Sequence, residues 1–139
     1  MCLGCGRFTS GGSYCPACSR KREADKLERA PWLALYKQPQ WQTVKWAVHQ
    51  RDGYRCVYQD GRGRCGVTSH QTRLEAHHLR KTRMLWFDAG QDWTRFLQLA
   101  LDPDNIVTLC YRHHLQADAK PGRRPKAAAS ARPLPRGRT

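Results

Sequence analysis

The clearest pattern of apolar residues along the chain is a helical stripe between residues 40 and 51. Trp41, Val44 and Val48 follow one another at i, i+3 and i+7, the spacing that places side chains on one face of an α-helix. Gly53 follows shortly afterwards and supplies a C-terminal stop signal. The pattern therefore predicts an amphipathic helix over residues 40–51 that packs its tryptophan face against a core.

Two short segments after this helix have the composition of β-strands. Residues 54–58 are rich in tyrosine and valine, and a glycine-rich turn follows them. Residues 74–79 form the second segment. We expect the two segments to pair as a hairpin that presents His77 and His78 near its end.

Residues 80–104 are too long and too apolar for a simple loop. Leucine, phenylalanine and tryptophan recur over residues 92–101, which predicts an inserted amphipathic helix that closes the small core. Pro103 ends this helix, and a last helix is expected over residues 113–119.

Composition divides the chain of 139 residues into four segments. Residues 1–20 form a cysteine module, and residues 21–39 are a charged linker helix, broken by Pro31, with little to bury. Residues 40–119 hold the main domain, whose core is thin at this size. Residues 120–139 are basic and rich in proline and alanine, which predicts a tail that is disordered until it meets a polyanion.

We expect bound metal ions to stabilise so small a hydrophobic core. The chain has seven cysteines, an odd number that cannot pair off completely as disulfides. No apolar run resembles a secretory signal or a membrane span, so we expect a cytoplasmic protein whose cysteines bind metal. Adding His113 to the cysteines gives eight ligands, enough for two tetrahedral zinc sites.

Two Cys-x2-Cys pairs lie within the N-terminal module. Such pairs form tight turns, and two of them close one tetrahedral site. They predict a zinc ribbon that contacts nucleic acid or protein, or that only holds the N-terminus together. Its ligands are Cys2, Cys5, Cys15 and Cys18.

The net charge of the chain points to a polyanionic partner. Lysine and arginine number 25 against 11 acidic residues, which gives a formal charge of +14. Nucleic acid is the polyanion that such a balance favours most. The alternative is that the basic residues only solvate the surface.

Three motifs follow one another in the second half of the chain. They are Arg-Asp-Gly-Tyr-Arg-Cys at residues 51–56, Ala-His-His at residues 76–78, and Asp-Asn-Ile-Val-Thr-Leu-Cys at residues 104–110 with His113 and His114 behind it. Together they resemble the HNH endonuclease family, and more narrowly its small phage-type members that carry structural zinc. The resemblance implies a small α+β fold with a ββα-metal (His-Me finger) core and structural zinc, to which the N-terminal zinc ribbon is added.

The resemblance also implies a role for each motif residue. His78 matches the general base that takes a proton from the attacking water, and a pKa near 6.5 leaves imidazole largely neutral for this task. His77 stands where the family usually has aspartate, the first ligand of the catalytic cation. His114 matches the second ligand of that cation. Asn105 matches the middle asparagine, which orients the loop and the base by hydrogen bonds.

The chain departs from the family pattern in two places. Cys56 and Cys65 are separated by eight residues where the family has Cys-x2-Cys, so the loop must fold back, and His70 is an alternative ligand. His77 in place of aspartate favours zinc, nickel or manganese over magnesium, which prefers oxygen ligands. The choice of catalytic ion among Mg²⁺, Mn²⁺, Ni²⁺ and Zn²⁺ therefore stays open. The second structural zinc set consists of Cys56, Cys65, Cys110 and His113.

These motifs predict a metal-dependent endonuclease that nicks or cuts duplex DNA with little sequence preference. The resemblance implies products with 5′-phosphate and 3′-hydroxyl ends, and a terminase subunit as partner in phage DNA packaging, in the cytoplasm of the host cell. Arg80, Lys81 and Arg83 follow the base and are expected to clamp flanking phosphates, unless they are solvated surface charges.

Two other functions compete with this hypothesis. One is a zinc-stabilised nucleic-acid-binding module whose nuclease centre is catalytically inactive. The other is a protein-interaction adaptor that uses the N-terminal ribbon and the basic tail. Binding that weakens steeply with salt would distinguish charge-driven contact with nucleic acid from the adaptor role.

Overall fold

The computed structural model describes residues 1–118 of the chain, so the expectations for residues 119–139, including the basic tail, lie outside the described part. The described residues form the small mixed α+β fold that the sequence predicts. None of their helices is long and apolar enough to cross a membrane. The elements are α1 (Pro16–Arg29), a 3-10 turn (Pro31–Lys37), α2 (Pro39–Arg51), β1 (Gln59–Asp60), β2 (Gly63–Arg64), β3 (Leu74–His78), α3 (Thr82–Asp88), α4 (Trp93–Ala100), a 3-10 turn (Pro103–Asn105), β4 (Ile106–Cys110) and α5 (Tyr111–Asp118).

The strands pair differently from the expected hairpin. β3 pairs with β4 in antiparallel register, with Leu74 opposite Cys110 and His78 opposite Ile106, while β1 pairs only with β2. The predicted pairing of residues 54–58 with residues 74–79 is therefore wrong. β4 is the better partner because it is almost wholly buried and covers the half-buried β3.

The main core lies between α2, α3, α4, the 3-10 turn Pro31–Lys37 and β4. Helix α2 covers nearly the same residues as the predicted helix, and α4 confirms the helix expected over residues 92–101. Asp92 caps α4, because its side chain accepts a hydrogen bond of 2.8 Å from the backbone N–H of Arg95. The buried core residues are Leu35, Trp41, Val48, Leu85, Ala89, Phe96, Ala100 and Ile106.

The 3-10 turn Pro31–Lys37 is part of this core. Leu35 is fully buried, and Trp32 packs against the buried cluster from its edge. The expectation that the segment before residue 40 has little to bury is therefore wrong for this turn. The apolar run in this turn is short and lies between charged segments, so the sequence shows no helical periodicity there.

A polar network joins the end of α2 to β4. Arg51 donates from Nη2 to the carbonyl of Ile106 at 2.7 Å and from Nη1 to the carbonyl of Pro103 at 2.8 Å. Asp52 accepts from the backbone N–H of Thr108 at 2.9 Å. Burial works to raise the pKa of Asp52, but the hydrogen bonds from Arg51 and Thr108 outweigh it and the pKa is lowered.

Removal of the Asp52 carboxylate tests how much this network stabilises the fold. We expect Asp52→Ala to lower the free energy of unfolding by about 1–3 kcal/mol, because a buried strand N–H and a guanidinium lose their acceptor. Denaturant unfolding of the zinc-loaded protein measures the change. Asp25→Ala, which removes an exposed partner of Lys21, is the matched control and should cost less than about 0.5 kcal/mol. Equal losses in the two variants would contradict the role of Asp52.

Candidate metal centres and active site

The N-terminal cysteines form one compact group. Ligand atoms of Cys2, Cys5, Cys15 and Cys18 all lie within 4.8 Å of one another. The sulfurs of Cys5 and Cys15 are 3.8 Å apart, far beyond the roughly 2.05 Å of a disulfide. A tetrahedron with zinc–sulfur bonds of about 2.3 Å has edges of about 3.8 Å, so the spacing fits a zinc ion.

Backbone amides and close packing prepare these thiols for a cation. Hydrogen bonds from the backbone N–H groups of Cys15 and Gly4, at 3.2 and 3.4 Å, help lower the pKa of Cys2 to about 6. The neighbouring Cys15 thiol raises the pKa of Cys18 to about 12. A β-carbon at Gly4 would lie 2.9 Å from the Cys18 sulfur, so the turn is closed tightly around the group. All four cysteines could ionise at this spacing only if a bound cation offset their charge, so the group could hold a zinc ion.

The second group joins the loops after α2 to the end of β4 and the first turn of α5. Its members are Cys56, Cys65, Cys110 and His113. Nδ1 of His113 lies 3.4 Å from the Cys56 sulfur and 3.3 Å from the Cys110 sulfur, and the ring stacks on Tyr58 at 4.1 Å. Burial raises the pKa of Cys110 to about 11, so this thiol also needs a cation in order to ionise.

The loop between the first two cysteines of this group folds back as expected. The backbone N–H of Cys65 donates to the carbonyl of Tyr58 at 2.8 Å, and that of Gly66 donates to the carbonyl of Cys56 at 3.1 Å. His70 is exposed and lies outside the group, so Cys65 and not His70 completes it. Both four-residue groups could therefore hold structural zinc.

A third group brings together His77, His114 and a residue that the sequence did not suggest, Asp118. Their ligand atoms also lie within 4.8 Å of one another. The Asp118 carboxylate is 3.8 Å from Nδ1 of His77 and 3.3 Å from Nε2 of His114. Asp118 follows His114 by four residues on α5, and this i, i+4 spacing was the signal that could have revealed it.

His78 is not a member of this group, because successive side chains of a strand alternate between faces. It is only 5% exposed, and its ring stacks on Trp41 at 5.1 Å. Nε2 of His78 lies 2.8 Å from the carbonyl of Ala100. A carbonyl can only accept, so Nε2 carries the proton and Nδ1 keeps its lone pair. Burial lowers the pKa of His78, which favours this neutral form.

Asn105 holds the chain where it leaves β3. Its Oδ1 accepts from the backbone N–H of Arg80 at 2.9 Å, and its Nδ2 donates to the carbonyl of Arg80 at 3.2 Å. The backbone N–H of Leu79 donates to the carbonyl of Asn105 at 2.8 Å. Asn105 thus contacts the backbone beyond His78 and fixes the end of the strand that carries both histidines.

The ligand group and His78 line the same cleft, whose volume is about 490 Å³. The lining includes His77, His78, His114 and Asp118. Two of the three predicted phosphate contacts, Lys81 and Arg83, also line the cleft, together with Lys45. Arg80 is not among the lining residues and pairs with Asp88 on the surface. The sequence therefore missed Lys45, which lies on α2 far from the motif residues.

Comparison with known proteins found no matching protein-family model, no matching curated protein and no matching solved structure. The relation to the HNH endonucleases therefore stays a prediction from three sequence motifs.

Zinc content tests the two cysteine groups separately. We expect about two tightly held zinc ions per chain after gel filtration, and about one after either Cys15→Ser or Cys110→Ser, because each change removes one of four ligands. Elemental analysis against protein concentration measures this ratio. His70→Ala removes an exposed histidine outside all three groups and should leave the ratio unchanged. Fewer than two zinc ions in the unaltered protein would refute the assignment.

Proposed function

We propose that the protein is a metal-dependent endonuclease of the HNH type that hydrolyses phosphodiester bonds in DNA. The observation that carries the proposal is that one cleft contains both a three-residue ligand group and a buried histidine of fixed tautomer. The ligand group is His77, His114 and Asp118. The histidine is His78, whose Nε2 is held by the carbonyl of Ala100, so that Nδ1 is the ring nitrogen able to accept a proton.

The order of the surrounding elements supports this proposal. β3 and β4 form an antiparallel pair, and α5 follows β4 directly. The ligand group draws His77 from the strand pair and His114 from the helix. A ββα-metal fold requires this same division of ligands between a pair of strands and the helix behind it.

The donor set fits a divalent ion. Two imidazoles and one carboxylate suit borderline ions such as manganese, nickel or zinc, and three ligands leave coordination positions open for water and phosphate. When bound there, the ion would offset the negative charge that develops on the scissile phosphate and on the departing 3′ oxygen.

The side chains of the cleft supply the remaining chemistry. Neutral His78 takes a proton from the attacking water at Nδ1, while the carbonyl of Ala100 holds its other nitrogen in place. Asn105 keeps the end of β3 in position. Lys81 and Arg83 bind flanking phosphates, in line with the net charge of +14. Attack in line with the 3′ oxygen forms the new bond to phosphorus as the bond to that oxygen breaks, and the departing oxygen takes a proton from solvent, which leaves 5′-phosphate and 3′-hydroxyl ends.

The biological setting is proposed from the motif resemblance alone. It comprises phage DNA packaging with a terminase subunit, in the cytoplasm of a host cell.

A plasmid nicking assay tests the proposal and the role of His78. We expect relaxation of supercoiled plasmid in the presence of Mg²⁺, Mn²⁺, Ni²⁺ or Zn²⁺, and a fall of about 10²- to 10⁴-fold in the rate for His78→Ala, because the general base is lost. His70→Ala is the matched control and should retain the full rate. Zinc content and melting temperature establish that both variants are folded.

Two results would contradict this assignment. Full activity in a folded His78→Ala variant would remove His78 from the role of base. DNA binding by the unaltered protein without cleavage, under every ion tested, would favour the alternative of an inactive nucleic-acid-binding module.

Titration with a divalent ion tests the contribution of Asp118. We expect Asp118→Ala to weaken the binding of Mn²⁺ or Ni²⁺ to the zinc-loaded protein by at least about tenfold, since loss of even an outer partner of a ligand costs about 10- to 100-fold. Calorimetry on the folded protein measures the affinity. Asp88→Ala, which removes an exposed carboxylate outside the cleft, should leave it unchanged. Equal affinities in the two variants would exclude Asp118 as a ligand.

A further inference from the structure

The cleft has an aromatic lining that the chemistry of hydrolysis does not use. Trp32 and Tyr36 lie four residues apart on the 3-10 turn Pro31–Lys37, and both line the cleft beside the ligand group. Tyr36 is 43% exposed, and its ring lies 6.4 Å from that of His78. Trp41 also lines the cleft but is buried and occupied by its stack on His78. Trp32 also contacts Phe87 at 6.3 Å, and Tyr36 lies edge-on to Trp41 at 5.2 Å, but both are only partly covered and are therefore the aromatic residues of the lining that offer surface to a ligand.

Cationic groups stand next to these rings. The guanidinium of Arg83 lies 6.0 Å from the centre of the Trp32 ring, and Lys81 lines the same cleft. Aromatic rings combined with a basic groove are the means by which proteins hold single-stranded nucleic acid, because every base has a π-face and every linkage a negative charge.

The size of the cleft suits a single nucleotide. A volume of about 490 Å³ is within the range of pockets that bind small ligands. A duplex hides its base faces in the stack, so that a base can reach an aromatic side chain only after it has left its partner.

We propose that the cleft binds an unpaired nucleotide of DNA, with its base against Trp32 and Tyr36 and its phosphates against Lys81 and Arg83, beside the ligand group of His77, His114 and Asp118. This proposal rests on the proposed nuclease function and deepens it. The preferred substrate is then single-stranded or locally unpaired DNA, and uniform duplex, the substrate that the sequence suggested, is a poorer one.

Binding of two labelled DNAs of equal length, an oligothymidine and a duplex, tests the proposal without cleavage. Fluorescence anisotropy is measured at one salt concentration, on the zinc-loaded protein without further divalent ions. We expect tighter binding of the oligothymidine, and a loss of about 5- to 150-fold in that affinity for Trp32→Leu, which corresponds to the 1–3 kcal/mol of one base stack. Affinity for the duplex should be nearly unchanged.

Control variants separate stacking from folding. Trp46 is 62% exposed on α2 and does not line the cleft, so Trp46→Leu should not alter either affinity. Tyr36→Leu should weaken oligothymidine binding, whereas Tyr36→Phe, which keeps the ring, should retain it. A misfolded variant would lose affinity for both the oligothymidine and the duplex. Equal weakening of the two DNAs by folded Trp32→Leu and Tyr36→Leu, or no weakening at all, would overturn the proposal.

Cleavage rates distinguish failure of this inference from failure of the nuclease proposal. Single-stranded circles and plasmid duplex are compared under the same divalent ion. Faster cutting of the single-stranded circle supports the aromatic subsite. Equal or faster cutting of the duplex overturns that subsite while the nuclease function stands, and absence of cutting on both substrates refutes the nuclease function, on which the substrate preference depends.

Discussion

The antiparallel pairing of β3 with β4 is the constraint on which both the second cysteine group and the cleft depend. β3 ends in His77 and His78, and β4 ends in Cys110, immediately before α5. The pair is itself held from outside, because Arg51 and Asp52 bind backbone groups of β4 from the end of α2. A shift of one residue in this register would turn each strand side chain to the opposite face.

The chain has two pairs of consecutive histidines, one on β3 and one on α5. In each pair the two rings belong to different sites, because the backbone points them in different directions. On β3, the alternation of side chains places His77 in the ligand group and His78 in the part of the cleft next to Trp41. On α5, consecutive residues are about 100° apart, so His113 turns to the cysteines while His114 turns to the cleft. A zinc ion in the second group would therefore also fix the orientation of the helix that offers His114.

Local patterns in the sequence predicted some parts well and others badly, for physical reasons. The apolar stripes of α2 and α4 were sufficient because a helix records its buried face in its own spacing. The partner of β3 was missed, since strand pairing is decided by burial against distant residues. Leu35 was missed because a short turn has no period of its own.

In the candidate site, too, sequence spacing predicted some residues, whereas the roles of others depend on tertiary packing. Cysteine spacing was enough to suggest the N-terminal group, whereas the second group was suggested by the number of ligands and by the motif resemblance, and only the folded loop decided between Cys65 and His70. Asp118 was overlooked because a carboxylate near the end of a short, polar helix resembles an ordinary surface residue. The neutral tautomer of His78 could not be foreseen, since its partner is the carbonyl of Ala100 on α4, which is distant in sequence.

The first turn of α5 has a consequence for how the chain can vary. His113 and His114 are consecutive, yet they belong to different groups. Insertion or deletion of a single residue after Cys110 would rotate both rings by about 100° and misdirect them at once. The first turn of α5 can therefore accept substitutions on its outer face, but a change in its length would disrupt both groups at once.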